Sequence, residues 1–483
     1  MVRHIFSLSS IREIYDRESR KGNINIKKMP EKYKNILTTI HDKTDSLNKL
    51  RKKSTRDLSE TDKIEHNQQI ANLKEDIFNL RQQKESELTL FLEGIELDFV
   101  NKFEFKIQLD KDSLNNYDHE CYHIENEDIR TLIFSKLLCA DLTSSFKVKT
   151  ADRHHIMASI KLLLYKDRPY YIIRTDIKKF YESINQKYLL ELINQNPYLS
   201  LKTKGCIKSV LNQYNEQTTV SVKGCGIPRG ISLSAALCEI YMRDFDNYIK
   251  RSPNVIFYAR YVDDIFMILS DIPSGQTLDG IYDEMRQSNK LYGLTLHPKG
   301  DPKTTIYEYT PNGTNKTTSE LTYLGYKITL NLGSKEIIFS LSDKRYNRLK
   351  ARIDKTFKHF VNTYVYSPRK ARRDLIDCLN LISGNVSLLN SKKGIKTGLY
   401  YSNDLLSNDG KQLIEFDNYL IKILNGLVLS VKPFGTESLK EAYLDKIKSD
   451  IKGIKFQERW KCRKTYSFST DRLTELTNIL NHA

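Results

Sequence analysis

The stretch Asn254-Val-Ile-Phe-Tyr-Ala-Arg-Tyr-Val-Asp-Asp-Ile-Phe-Met-Ile-Leu269 restricts the fold more than any other part of the chain. Two arms of β-branched and aromatic residues enclose Asp263-Asp264, the pattern of a β-hairpin with acids at its tip. Adjacent ionised carboxylates repel each other, so apolar strands on both sides point to a site that holds them for a partner of opposite charge. A second such run, Tyr170-Tyr-Ile-Ile-Arg-Thr-Asp176, ends in another acid and leads into Ile177–Ile184, with turn-then-helix character. The three carboxylates together suit two magnesium ions about 3.5 to 4 Å apart, with manganese as the alternative, for nucleotidyl transfer. Any one of these acids alone reads more simply as a turn or cap residue.

Composition agrees with a polyphosphate partner without selecting one. Lys and Arg total 77 against 60 Asp and Glu, a net charge of +17, and 483 residues are enough for two or three domains. The seven cysteines contain no C-x-x-C and no zinc-type Cys/His spacing, so neither a zinc module nor a disulfide framework is indicated. No apolar run reaches signal-peptide or membrane-span length, so the expectation is a cytoplasmic protein with no membrane partner.

Residues 31 to 92 repeat apolar residues at helical spacing, with Ile36, Ile40, Leu47 and Leu50 in one segment and Ile70, Leu73, Ile77 and Leu80 in the next. An antiparallel helical hairpin is expected, joined by the charged connector Lys52–Asp62, with Ser59 or Thr61 as helix cap. From about 100 to 340 the texture is mixed α/β. After 342 it is helical and basic.

Tyr261-Val-Asp-Asp264 resembles the Tyr-x-Asp-Asp box of reverse transcriptases, and the segment ending at Asp176 resembles their first palm motif. Gly226-Ile-Pro-Arg-Gly-Ile-Ser-Leu-Ser234 is similar to their Pro-Gln-Gly-x-x-x-Ser motif. Gly293–Lys299 with Lys303-Thr304 resembles the fourth motif, and Leu321-Thr-Tyr-Leu-Gly-Tyr326 the primer-grip hairpin. Five ordered motifs over roughly residues 120 to 330 are far more specific than any one of them.

The resemblance implies an α/β (α+β) right-hand polymerase with an antiparallel palm sheet. The implied parts are a helical N-terminal extension (1–100, hairpin 31–92), fingers and palm (101–335) and a basic helical thumb (336–483). Fingers fall at about 101–169 and 185–224, palm at about 170–184 and 225–335. Asp176, Asp263 and Asp264 become the catalytic acids and metal ligands, with the Ile177 carbonyl completing a metal shell. Tyr181 is implied to lie under the sugar of the incoming nucleotide, where its ring excludes a 2′-hydroxyl; the plainer reading is a core aromatic.

Pro228, Arg229, Gly230 and Ser234 are implied nucleotide-site residues, as are Lys303 and, in a fingers-like segment Phe146–Ile156, Lys149 and Arg153. Arg229 departs from the Gln common in the family and brings a fixed charge and a five-donor fork. Tyr323 and Gly325 are implied nucleic-acid contacts. Arg348, Arg352 and Lys355, at i, i+4 and i+7, share one helix face suited to phosphates.

The Pro-Arg-Gly variant and the stretch Trp460–Phe468 resemble the bacterial unknown-group and abortive-infection reverse transcriptases that defend against phage. That class implies a dedicated non-coding RNA template, a cDNA product made from deoxynucleoside triphosphates, and a homo-oligomer. Two other readings stand beside it. One is a template-independent or biased-product nucleotidyltransferase on the same palm, which the Arg229 variant leaves open. The other is a non-catalytic RNA-binding oligomeric scaffold, which the acid triad argues against.

Overall fold

The computed structural model describes the chain except residues 1–4, 21–22, 53–58, 102–106, 113–118, 125–127, 150, 165–168, 220–221, 310–317, 332–335, 388–395 and 483. Much of the expected connector between residues 52 and 62 therefore lies outside the described residues, as does Thr150 in the fingers-like segment. The chain forms two compact units, each drawn from two stretches: 1–149 with 179–243, and 150–178 with 244–483. The architecture is mixed α/β, as the sequence texture leads one to expect, with the sheets built mainly from antiparallel pairs.

In the first unit, Glu31–Lys52 and Glu60–Asn101 pair as helices, the second running past the expected end at 92. Ser59 caps it: its hydroxyl accepts from the Asp62 N–H at 3.2 Å. The seam buries Leu47 and Ile77, and Lys43 reaches Asp76 across it at 2.5 Å. A helix not foreseen from the sequence, Leu8–Arg20, is tied to the long helix by Arg12–Glu85 at 2.5 Å and by the Leu8 N–H donating to Glu96 at 2.7 Å. Further along, the buried Asp141 accepts from the Thr203 hydroxyl at 2.5 Å and joins helices Ile129–Ser145 and Leu201–Gln217.

The second unit is built on a four-stranded antiparallel sheet in the order Val255–Tyr261, Asp264–Leu269, Tyr170–Asp176, Thr305–Tyr309. Ile172, Phe266 and Ile268 are buried in one core with the strands of a second antiparallel sheet, Thr318–Tyr323, Tyr326–Asn331 and Glu336–Leu341. Burying each such side chain contributes about 1.5 to 3 kcal/mol. The same core continues into helix Asp343–Tyr364, which buries Ile353, Thr356, Phe357, Phe360 and Tyr364, the 3-4 spacing of an amphipathic helix. Helix Pro368–Ser383 packs against it, with Pro at its start, where a missing N–H costs nothing. Among the described residues no helix is long and apolar enough to cross a membrane.

Candidate active site

The antiparallel register of the sheet decides where the acids lie. Asp264 is paired on one side with Tyr261 and on the other with Asp176, so the ends of three strands carry two acids side by side. Asp263 sits in the two-residue turn between Tyr261 and Asp264. Val262, its neighbour in that turn, has φ +61°, a left-handed conformation costly for a β-branched residue. The positive φ falls at the first central position, as the tight turns that match strand twist require.

Arg260 holds this turn. Its side chain is 2 % exposed, binds Asp246 at 2.9 Å and donates to the Val262 carbonyl at 2.8 Å. The Tyr258 hydroxyl donates to the same Asp246 at 2.7 Å. The Asp263 carbonyl in turn accepts from the Ile177 N–H at 3.2 Å, which joins the acid tip to the end of the first motif strand. Beyond it, Lys178 N–H donates to Thr295 and His297 N–H to the Asp176 carbonyl, bonds that do not use the Ile177 carbonyl.

The carboxylates are surrounded by basic side chains. Lys303 Nζ lies 2.6 Å from Asp176 Oδ2, and its pKa is raised, first by that bond and further by the charges of Asp263 and Asp264. His297 Nε2 stands 3.8 Å from the same oxygen, with its Nδ1 2.9 Å from Asp301. Arg174 donates to Asp264 at 2.9 Å and to the Lys303 carbonyl at 2.6 Å. Burial pushes the Asp264 carboxyl above its ordinary range; Arg174 opposes that push and the Asp176 charge adds to it.

All three acids thus act on one ammonium, and a centre of positive charge suits them. Among the described residues, however, no group of three or more His, Cys, Asp or Glu side chains is close enough to hold a metal ion as it stands. Asp176, Asp263 and Asp264 offer the oxygen donors that hard divalent cations take. The donor chemistry fits; the side-chain positions belong to the ion-paired arrangement.

Tyr323 is 1 % exposed, packs its ring 5.0 Å from Phe266 and donates its hydroxyl to the Asp264 carbonyl at 3.3 Å, so it supports the acid strand from within. Gly325 follows Leu324 in a tight turn in which both have positive φ, and a Cβ on Gly325 would meet the Arg345 side chain at 2.2 Å. Arg153, expected at a phosphate, donates instead to the carbonyls of Leu324 at 2.8 Å and Ser402 at 3.0 Å and lies over the Tyr326 ring. Lys355 is spent on the Asn481 carbonyl.

In the first unit the nucleotide-motif residues form a cluster of their own. The Arg229 guanidinium lies over the Tyr181 ring at 4.9 Å, and the Ile227 N–H donates to the Tyr181 carbonyl at 2.9 Å. Gly230 has φ +108°, and a Cβ there would fall 2.4 Å from the Tyr122 carbonyl. The Pro228 carbonyl accepts from the Ser234 hydroxyl at 2.6 Å; Ser234 is 0 % exposed and closes the turn instead of facing outward. Lys149 is exposed.

Sequence reasoning missed Arg174, Arg260 and His297. The available signal was charge inside apolar β-type runs: Arg174 in Tyr-Tyr-Ile-Ile-Arg-Thr-Asp and Arg260 in Tyr-Ala-Arg-Tyr.

Residues 129–328 match the family described as reverse transcriptase (RNA-dependent DNA polymerase). The chain matches no curated protein sequence. Similar solved structures include telomerase from Candida tropicalis in complex with a TWJ fragment of telomeric RNA, at 15% identity and TM-score 0.32, covering 71% of this chain and 52% of that one. Telomerase from Candida albicans in complex with the same kind of fragment is 13% identical with TM-score 0.30, covering 72% and 56%. Apo telomerase from Candida tropicalis is 14% identical with TM-score 0.33, covering 72% and 52%. The chain spans about half the length of these proteins.

Proposed function

We propose that the chain is a reverse transcriptase that copies an associated non-coding RNA into DNA during bacterial defence against phage. The observation that carries the chemistry is the register placing Asp176 beside Asp264, with Asp263 on the adjoining turn and the three charges focused on Lys303 Nζ. Asp176, Asp263 and Asp264 would hold divalent ions, which would supply activation of a 3′-hydroxyl and charge neutralisation at the pyrophosphate. The protein positions the acids: Arg260 fixes the turn, Tyr323 the Asp264 backbone, and the Ile177 N–H the Asp263 backbone. Lys303 and Arg174 keep the mutually repelling acids paired before metal and nucleotide arrive.

Tyr181 selects deoxynucleotides in this reading, held by Arg229 on its ring face and by the backbone of the Ile227 turn. The defence role and the dedicated RNA are supported by the likeness of Pro228-Arg229-Gly230 and Trp460–Phe468 to defence-associated enzymes. Self-association is supported by Ile64, Phe78, Leu90 and Leu97, apolar side chains more than half exposed on the long N-terminal helix.

The test is sequencing of all nucleic acid that copurifies from the native locus, before and after incubation with magnesium and the four deoxynucleotides. One enriched RNA, with complementary DNA that accumulates in the wild type and not in Asp263→Asn, Asp264→Asn, is the expected result. DNA of a single repeated base with no template would replace this reading by an untemplated transferase. Bound RNA with no DNA under any condition would replace it by a scaffold.

A further inference from the structure

The basic face of helix Asp343–Tyr364 is not the uniform stripe its spacing suggests. Lys355 is withdrawn to the Asn481 carbonyl, whereas Arg345, Arg348 and Arg352, at i, i+3 and i+7, line one small cavity of about 240 Å³. It is also lined by Leu381, Ile382, Thr397–Leu399, Ser402 and Asn403, and among the described residues no carboxylate lines it. Arg345 is anchored by the Ser402 carbonyl at 3.0 Å and Asn403 Oδ1 at 2.6 Å. Arg348 and Arg352 make no ion pair among the described residues.

Three guanidinium groups facing one concavity without an acid are unfavourable for folding. Burial lowers the Arg345 pKa to about 10, helped by the charges of Arg153 and Arg348, and burial and Arg348 lower that of Arg352. Such an arrangement costs stability unless an anion offsets it. The cavity is smaller than the ~300 Å³ at which drug-sized ligands begin to fit, and suits a compact group. A phosphodiester carries one charge. A terminal phosphate monoester carries close to two at neutral pH, and a pyrophosphoryl group more, with oxygens placed for guanidinium forks.

We propose that Arg345, Arg348 and Arg352 form a pocket for a terminal phosphate or pyrophosphoryl group. The carrier is the 5′ end of a nucleic-acid strand or a free pyrophosphate-type anion. An adjoining cavity of about 310 Å³ shares Arg345 and Arg348 and extends past Gly325 to Arg174 and Asp264, so a short strand held at its 5′ phosphate can lie along a path to the acids. Naming a strand as carrier rests on the polymerase reading; the pocket itself does not.

The test is binding by the full chain, in EDTA so that no synthesis occurs, of one short RNA bearing a 5′-hydroxyl, 5′-monophosphate or 5′-triphosphate. Inorganic pyrophosphate serves as the free-anion probe, read by competition and by thermal shift. The 5′-triphosphate form should bind at least tenfold more tightly than the 5′-hydroxyl form, and the preference should vanish in Arg348→Gln, Arg352→Gln. That variant should melt no lower than the wild type, because it removes unpaired like charges.

A pyrophosphate shift lost in the variant, with no preference among RNA ends, assigns the pocket to the free anion. Equal affinities within twofold with no pyrophosphate effect overturn the proposal, as does a variant melting several degrees lower, which makes the arginines structural. Asp263→Asn, Asp264→Asn should keep the end preference while losing synthesis, which separates failure of this proposal from failure of the polymerase reading.

Discussion

The Arg260 guanidinium donates to the Val262 carbonyl at 2.8 Å, so the strand that leads to the acid tip also clamps the strained turn that presents it. Its charge is matched by Asp246 at 2.9 Å, with Arg260 2 % and Asp246 15 % exposed. Removing one partner of a buried pair leaves the other charge uncompensated.

Arg260→Leu should therefore destabilise the fold by about 3 to 5 kcal/mol. Denaturant melts of Arg260→Leu, Asp246→Leu and the double variant check this: the double variant should be more stable than the sum of the single losses predicts.

With Tyr181 in its proposed role as a steric wall against the 2′-hydroxyl, Tyr181→Ala should lower discrimination against ribonucleotides on the order of 10²-fold. Arg229→Gln should lower it by less, since it loosens the ring without deleting it. Single-nucleotide incorporation with paired ribo- and deoxynucleotides checks both, and equal discrimination in all three proteins would refute the role given to Tyr181.

Glu120 offers a pH signature in the first unit. Burial raises its pKa, but bonds from Lys111, Thr219, Tyr122 and Thr218 outweigh this and hold the carboxyl at about 2 against an ordinary 4.5. A depressed folded pKa contributes stability that is complete above the unfolded value and is lost as pH falls from about 4.5 toward 2. Allowing for solvent screening, the contribution is about 1 to 2 kcal/mol. Glu120→Gln should flatten the fall in melting temperature across that window.

Arg472 links the C-terminal helix to helix Pro368–Ser383 through Asp374 at 2.8 Å and Asp377 at 2.6 Å, and Asp374 is 0 % exposed. Arg472→Met should cost about 3 kcal/mol or more in a chemical melt, because among the described residues the buried carboxylate then keeps the His359 ring, 3.2 Å away, and no Lys or Arg partner. Asp377→Asn, at a more exposed partner, should cost much less.

The acids at strand ends, the paired N-terminal helices and a hydroxyl cap at Ser59 or Thr61 were legible in the sequence because each is set by local pattern: short β-branched and aromatic runs, 3-4 spacing, and a hydroxyl at a helix start. The order of the strands was not, since the pairing of Asp176 with Asp264 joins residues 88 positions apart through a register that no local pattern records. Side-chain assignments diverged most where a polar donor found a backbone carbonyl inside the fold. Arg153 reached Leu324 and Ser402, Lys355 reached Asn481, and Ser234 turned back to Pro228. A sequence states which groups carry charge and hydrogen-bonding capacity; only tertiary packing decides which are spent inside the fold and which, like Arg348 and Arg352, stay open to a ligand, because desolvating a polar group without a partner costs more than almost any local preference.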